Sequence, residues 1–173
     1  MAEKTARVPD KVYLVSSCEP VQLTEAERAA CGAIVEAGGA VRRGYIAQEI
    51  AEARLLSVVR LAGEIVGVGA IKRIRQPYAE KIASRSGVNF PPETPEFGYV
   101  VVNPAHQGNG LSHRLAGELL AEHSGPLFAT TSSDRMIATL TAAGFERKGH
   151  EWPGRDAQLS FWWKAGGTPT EMT

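Results

Sequence analysis

Apolar positions along this chain recur with two different spacings, and each change of spacing marks a new element. A β-branched and aromatic run at residues 12–16 predicts a first strand. Thr24 and Glu27 stand at capping-box spacing, where a hydroxyl and a carboxylate each satisfy an orphan amide. A helix is therefore predicted from there to the stop at Gly38 and Gly39, with a second, shorter one over residues 45–53. Two β-rich runs, 55–61 and 64–74, are joined by Ala62 and Gly63 and read as a hairpin. Residues 75–95 give mixed signals; a connection of that length is usually an active-site flap or a short extra helix. The continuous apolar run 97–102 predicts a strand covered on both faces. After a loop at 103–110, Leu111, Leu115, Leu119 and Leu120 form one helical stripe. A short strand follows at 127–130. Ser132, Ser133 or Asp134 then caps a helix carrying Met136, Ile137 and Leu140 and ended by Gly144. Residues 145–149 and 158–164 read as a closing strand pair around Pro153 and Gly154. The order predicts an α/β protein with a mixed sheet covered by helices.

Composition narrows the class. With 173 residues, 43% hydrophobic and 22% charged, the chain suits one globular domain. Residues 11–164 are assigned to that domain, and the polar or Pro/Gly-rich segments 1–10 and 165–173 are expected to be poorly ordered. Nineteen basic residues balance nineteen acidic ones, so no global charge draws the chain to nucleic acid or anionic membrane. The polar N-terminal residues exclude a signal peptide and no segment can span a bilayer, which predicts a cytoplasmic protein with no membrane partner. Two cysteines, Cys18 and Cys31, match no zinc pattern and read as free thiols. No histidine and carboxylate grouping has metal-ligand spacing, so no metal is expected.

Chemistry concentrates in residues 100–112, where a buried strand runs through a glycine-bearing loop into a helix. The first amides of a helix lack intrahelical acceptors and carry partial positive charge, so such an end binds phosphate oxygens. Gly108 and Gly110 let the backbone approach an anion closely. A Gly-x-Gly loop by itself is equally well a tight turn.

The segment resembles the acetyl-CoA motif of the GNAT superfamily of acyl-CoA N-acyltransferases: a hydrophobic strand, Val102-Asn-Pro104, then Gln107, Gly108, Asn109, Gly110, Leu111 and Ser112. Serine at 112, where the family has Gly or Ala, is a mild departure. The resemblance extends over residues 96–149, through a strand, a helix and Gly144-Phe145, and to earlier elements by order alone. It implies a GNAT-like fold with a central mixed sheet of six to seven strands and about four helices. It implies acetyl-CoA as cosubstrate, with pantetheine paired to the backbone of Val100, Val101 and Val102 and pyrophosphate on the loop amides of Gln107, Gly108, Gly110, Leu111 and Ser112. It further implies direct attack by an amine within a ternary complex.

Glu96, eleven residues before Gln107, has the spacing of a catalytic glutamate found in some members and is the candidate base. The plain alternative is a solvent-facing strand cap. The tyrosine that in the family often protonates the departing thiolate is replaced by Leu140, and the usual asparagine by Ser133; Ser132 or Ser133 is the candidate acid, or the thiolate leaves unassisted. Tyr99 reads as a core aromatic with its hydroxyl tied to backbone. Opposite the cofactor, Lys72, Arg73, Arg75, Lys81 and Arg85 form either a solvated surface, the favoured reading, or a groove for an anionic acceptor such as nucleic acid, with Tyr78 and Phe90 as stacking surface. Glu151 and Arg155 are weak candidates for reading a charged acceptor, beside Trp152. Of Trp162 and Trp163 only one can face the core, and the other is offered to a homodimer contact. The function expected is N-acetyl transfer to an unidentified amine. The alternatives are a non-catalytic acyl-CoA-binding module and a nucleic-acid-modifying transferase on the same scaffold.

Overall fold

The structure, a computed structural model, describes residues 11–39 and 45–167. The disorder expected at 1–10 and over 168–173 lies outside the described residues. Within the expected tail, Gly167 donates its amide to Ser124 O at 2.9 Å.

Seven strands form one sheet in the order β1-β2-β3-β4-β5-β7-β6. They are β1 (Tyr13–Cys18), β2 (Leu55–Leu61), β3 (Glu64–Lys72), β4 (Glu96–Val102), β5 (Leu127–Thr131), β6 (Glu146–Pro153) and β7 (Gln158–Lys164). The helices are α1 (Glu25–Ala37), α2 (Ile46–Glu52), α3 (Gln76–Ser86), α4 (Leu111–Glu122) and α5 (Asp134–Ala142). The expected α/β mixed sheet is present, with five helices where about four were expected. The extra one is α3, in the segment whose composition left flap and helix open. Pro77 stands in its first turn, where a missing N–H costs nothing, and Gly87 ends it at φ +73°.

Local chemistry sets the ends of the elements. Thr24 Oγ1 accepts from the Glu27 amide and Glu27 Oε1 accepts from the Thr24 amide, both at 3.1 Å, completing the capping box. The second Glu27 oxygen accepts from Arg60 at 2.7 Å and ties α1 to β2. Ala62 and Gly63 both have positive φ, +50° and +82°, the twist a two-residue hairpin turn needs.

Helices cover both faces. α1 and α2 pack over β3 and β4 around Cys31, Val35, Ile50, Leu56, Val68 and Tyr99. α3 extends that layer, with Ile82, Phe90, Phe128 and Phe161 beneath it. α4 and α5 cover the opposite face around Phe97, Leu115, Leu119, Leu127 and Leu140. Phe90 lies 4.7 Å from the Phe128 ring and 8% exposed, so it is core and not a stacking surface for a nucleobase. Trp162 packs on the α4 side, and Trp163, partly buried, lies against the α3 cluster. Burial raises the pKa of both thiols, Cys31 to about 11, leaving them un-ionised at neutral pH.

Leu119 is fully buried where α4 meets the sheet. Leu119→Ala is expected to cost about 2–5 kcal/mol, measured as a lower midpoint in urea unfolding with little change in slope.

Candidate functional site

The site begins at an irregularity in β4. Against β3, Gly69 faces Val100 and Ala70 faces Gly98, so Tyr99 is an extra, bulged residue. Its φ is +35°, a value that side-chain-bearing residues seldom adopt. On its other side β4 runs parallel to β5 with Glu96 opposite Phe128 as the one registered pair, and beyond it the strands part. The opening is a cleft of about 630 Å³ lined by Val100, Val101 and Val102 from β4, Thr130 and Thr131 from β5, and Ile34 from α1. The edge of β4 beyond Glu96 is thereby left free to pair with an extended ligand.

The loop follows directly. Asn103 Oδ1 accepts from the Ala105 amide at 3.1 Å, and Gln107 Nε2 donates back to Val102 O at 3.2 Å. Asn109 Nδ2 donates to His106 O at 2.9 Å, and Tyr13 Oη lies 3.0 Å from His106 Nδ1. These bonds hold the loop from several sides while the amides of residues 108–113 find no backbone acceptor among the described residues. Gly110 begins α4 at φ +69°, and a Cβ built there would meet nothing within 4 Å. A second cavity of about 320 Å³ sits against these amides, lined by Gly108, Gly110, Leu111, Ser112, His113 and Arg135. Unpaired amides at a helix N-terminus, with room in front of them, suit a phosphate group.

The predicted cofactor residues thus come together, with two differences. The Gln107 amide is engaged by Pro104 O at 3.4 Å, and Asn109 lines neither cavity because its side chain braces the loop. Sequence reasoning missed Arg135, which lines both cavities from the first turn of α5. Ser133 lines the cleft and caps α5, its Oγ accepting from the Met136 amide at 3.3 Å. Leu140 is fully buried, so no hydroxyl enters from that position.

Glu96 is 4% exposed, which rules out a solvent-facing strand cap. Its Oε1 meets Lys72 Nζ at 2.6 Å and its Oε2 accepts from Tyr78 Oη at 2.6 Å. Its two oxygens therefore have polar surroundings. Lys72 also lies 4.6 Å from the centre of the Tyr99 ring. Gly98 makes room for the pair, since a Cβ there would come within 3.3 Å of Lys72 Cε. Burial by itself would lower the Lys72 pKa, but the Glu96 carboxylate, aided by Glu49, raises it overall. Tyr78 is pushed strongly upward, first by burial and then by Glu96. Lys72 and Tyr78 therefore belong to a buried network around Glu96 and not to a basic flap; the three side chains line neither the cleft nor the loop cavity. Period two along β3 could have shown this, because it puts Lys72 on the same buried face as Val68 and Ala70. Arg73, Arg75, Lys81 and Arg85 are exposed, as a solvated surface requires. The Tyr99 hydroxyl is buried and unpaired, not tied to backbone.

Glu151 is paired with Arg147 at 2.6 Å on β6, the outermost strand, and Arg155 is exposed in the β6–β7 turn. Neither lines the cleft or the loop cavity.

Comparison with known proteins places the site in a context. Residues 23–145 match the model of the acetyltransferase (GNAT) family. A ribosomal-protein-S18-alanine N-acetyltransferase of Escherichia coli superposes with a TM-score of 0.65 at 15% identity, covering 94% of this chain and 99% of that one. A Salmonella typhimurium protein solved with its cofactor acetyl-CoA gives 0.62 at 20% identity, covering 94% and 99%. A GNAT-family protein of Desulfovibrio desulfuricans gives 0.63 at 12% identity, covering 89% and 99%. These likenesses are of fold. An uncharacterized protein of Mycobacterium leprae (strain TN) is 35% identical over 78 residues, 41% of this chain and 22% of that relative, so the match spans about a fifth of the relative's length.

Gly110→Val places a β-branched side chain at positive φ in the space before the amides. Calorimetry is expected to show acetyl-CoA binding lost in this variant, with far-UV circular dichroism unchanged. Retained affinity would mean that the loop does not contact the cofactor.

Proposed function

Since the chain belongs to the GNAT acetyltransferase family, we propose that it transfers the acetyl group of acetyl-CoA to a primary amine by direct attack within a ternary complex. The observation that carries this reading is the parting of β4 from β5 beside a loop whose amides are free. The backbone of Val100, Val101 and Val102 would pair with the pantetheine amides. The amides of Gly108, Gly110, Leu111 and Ser112 would hold the pyrophosphate, with Arg135 adding a positive charge. Bound there, acetyl-CoA supplies an activated thioester carbonyl.

The chain's own task is to prepare the amine, which is largely protonated when free at neutral pH. Glu96 takes its proton. Each Glu96 oxygen already has one donor but has a lone pair left, and Lys72 and Tyr78 fix the carboxylate's orientation. Lys72 also compensates the charge on Glu96 in a place shielded from water. Ser133 is the candidate acid: its oxygen caps α5, but its O–H proton remains free to donate. Without it the thiolate can leave unassisted, since a thiol of pKa about 8.5 is a fair leaving group. A cytoplasmic setting belongs to the same proposal. Among the described residues no helix is long and apolar enough to cross a membrane.

The buried Leu140 favours the second reading, a module that binds acyl-CoA without turnover. Glu96→Gln separates the two. On the catalytic reading its amine-dependent CoA release falls by about a hundredfold or more, while its affinity for acetyl-CoA stays within about twofold, a change of under half a kcal/mol. An unaltered rate removes Glu96 as the base, and binding without release from the unmodified protein, across amines, supports the module.

A further inference from the structure

Glu96 is buried and lines neither the cleft nor the loop cavity, so an amine in the cleft needs a carrier to pass its proton to that carboxylate. Three hydroxyl side chains beyond the Glu96–Phe128 pair line the cleft: Thr130, Thr131 and Ser133. Two of them are engaged. Thr131 Oγ1 accepts from the Ser133 amide at 3.0 Å, and Ser133 Oγ caps α5. Thr130 is placed differently. Strand alternation sets it on the same face of β5 as Phe128, while Leu127, Ala129 and Thr131 take the other face. Phe128 is the residue opposite Glu96, and it belongs to the cluster under α3 against which Tyr78 packs. Thr130 thus stands in the wall of the cleft on the side of the sheet where Tyr78 meets Glu96.

Tyr78 spans the rest of the path. Its Oη donates to Glu96 Oε2 at 2.6 Å, which leaves the same oxygen free to accept. Burial and the Glu96 carboxylate push the Tyr78 pKa up, and the Thr130 hydroxyl opposes them, as a donor to the tyrosine oxygen does. Around the carboxylate stand Tyr78 from α3, Lys72 from β3 at 2.6 Å, and Glu49 from α2, whose charge acts on Lys72. We propose that Thr130 and Tyr78 form a proton relay from the acceptor ammonium in the cleft to the buried Glu96. The ammonium donates to Thr130 Oγ1, Thr130 to Tyr78 Oη, and Tyr78 to Glu96 Oε2, so each hydroxyl gives up one proton and gains another. The nitrogen keeps the electron pair of its broken N–H bond and forms the C–N bond with it, while the C–S pair leaves on sulfur. The nitrogen loses its second proton as the thiolate gains one, and Glu96 returns its own to solvent by the same path. The relay rests on the acetyl-transfer reading above.

The test measures CoA release with n-butylamine, benzylamine, alanine amide and Nα-acetyl-lysine amide, and carries the fastest of them forward. Thr130→Val nearly keeps the side chain's shape and removes the hydroxyl. At neutral pH its kcat is expected to fall about a hundredfold or more, with acetyl-CoA affinity by calorimetry within about twofold. The deficit shrinks as pH rises, because an amine that has lost its proton to solvent no longer needs the relay. Thr130→Ser, which keeps the hydroxyl, restores most of the rate. Tyr78→Phe shows the same pH-dependent deficit, and combining it with Thr130→Val adds little, since either break stops the whole relay. An unaltered rate in Thr130→Val, a deficit of the same factor at every pH, no recovery with Thr130→Ser, or losses that multiply in the double variant would overturn the relay alone. No CoA release from any of these amines with the unmodified protein would overturn the acetyl-transfer reading and the relay with it.

Discussion

One extra residue in β4 organises the site. Tyr99 is squeezed into the pairing with β3 at positive φ, a strain on the order of 1–3 kcal/mol for a side-chain-bearing residue. A bulge bends and twists the strand that carries it. Here the bend coincides with β4 losing its partner: Glu96 still pairs with Phe128, and past that point a cleft replaces the ladder. A parallel pair that separates in mid-sheet exposes backbone groups that would otherwise be bonded. Those groups, and the amides where α4 begins, are what an extended, phosphorylated ligand can use. The proposed cofactor site is thus made mostly of backbone, and its side chains mainly brace the loop.

The proposed acceptor side follows a different logic. It is made of charges brought under α2 and α3, where each must be paired or account for its burial. Lys72, Glu96 and Tyr78 come from β3, β4 and α3 and share two short contacts. Removing Lys72 or Glu96 would leave its partner charged and shielded from water, and the two contacts hold Glu96 in one orientation. Among the described residues, Glu49 Oε2 and the Tyr99 hydroxyl are buried without a hydrogen-bond partner.

Much of this was legible in the chain itself. The capping box at Thr24 and Glu27, the hairpin at Ala62 and Gly63, and the strand–loop–helix at 100–112 all rest on local spacing, and local spacing is visible in sequence. The loop residues were legible for the same reason. The polar network was not, because its members lie far apart along the chain and meet only through the register of β3 with β4 and the seating of α3. Lys72 was read with its basic neighbours, although period two on a buried strand already set it apart from Arg73. The bulge at Tyr99 has no signature in composition, so its unpaired hydroxyl could not be foreseen, whereas a free strand edge at Val100, Val101 and Val102 was implied by the family resemblance alone. Glu151 and Arg155 were judged by their place in the β6–β7 connection, and β7 enters the sheet between β5 and β6, which carries that connection out to the edge.

Amide hydrogen exchange of the intact protein, with and without saturating CoA, reports directly on the backbone that the cleft leaves unpaired. If the parted strands and the free amides hold the cofactor, exchange slows at residues 100–102 and 108–113 and stays nearly constant on β6 and the exposed side of α3. Protection centred elsewhere, or none at those amides under saturating CoA, would contradict a cofactor site built from the opening between β4 and β5.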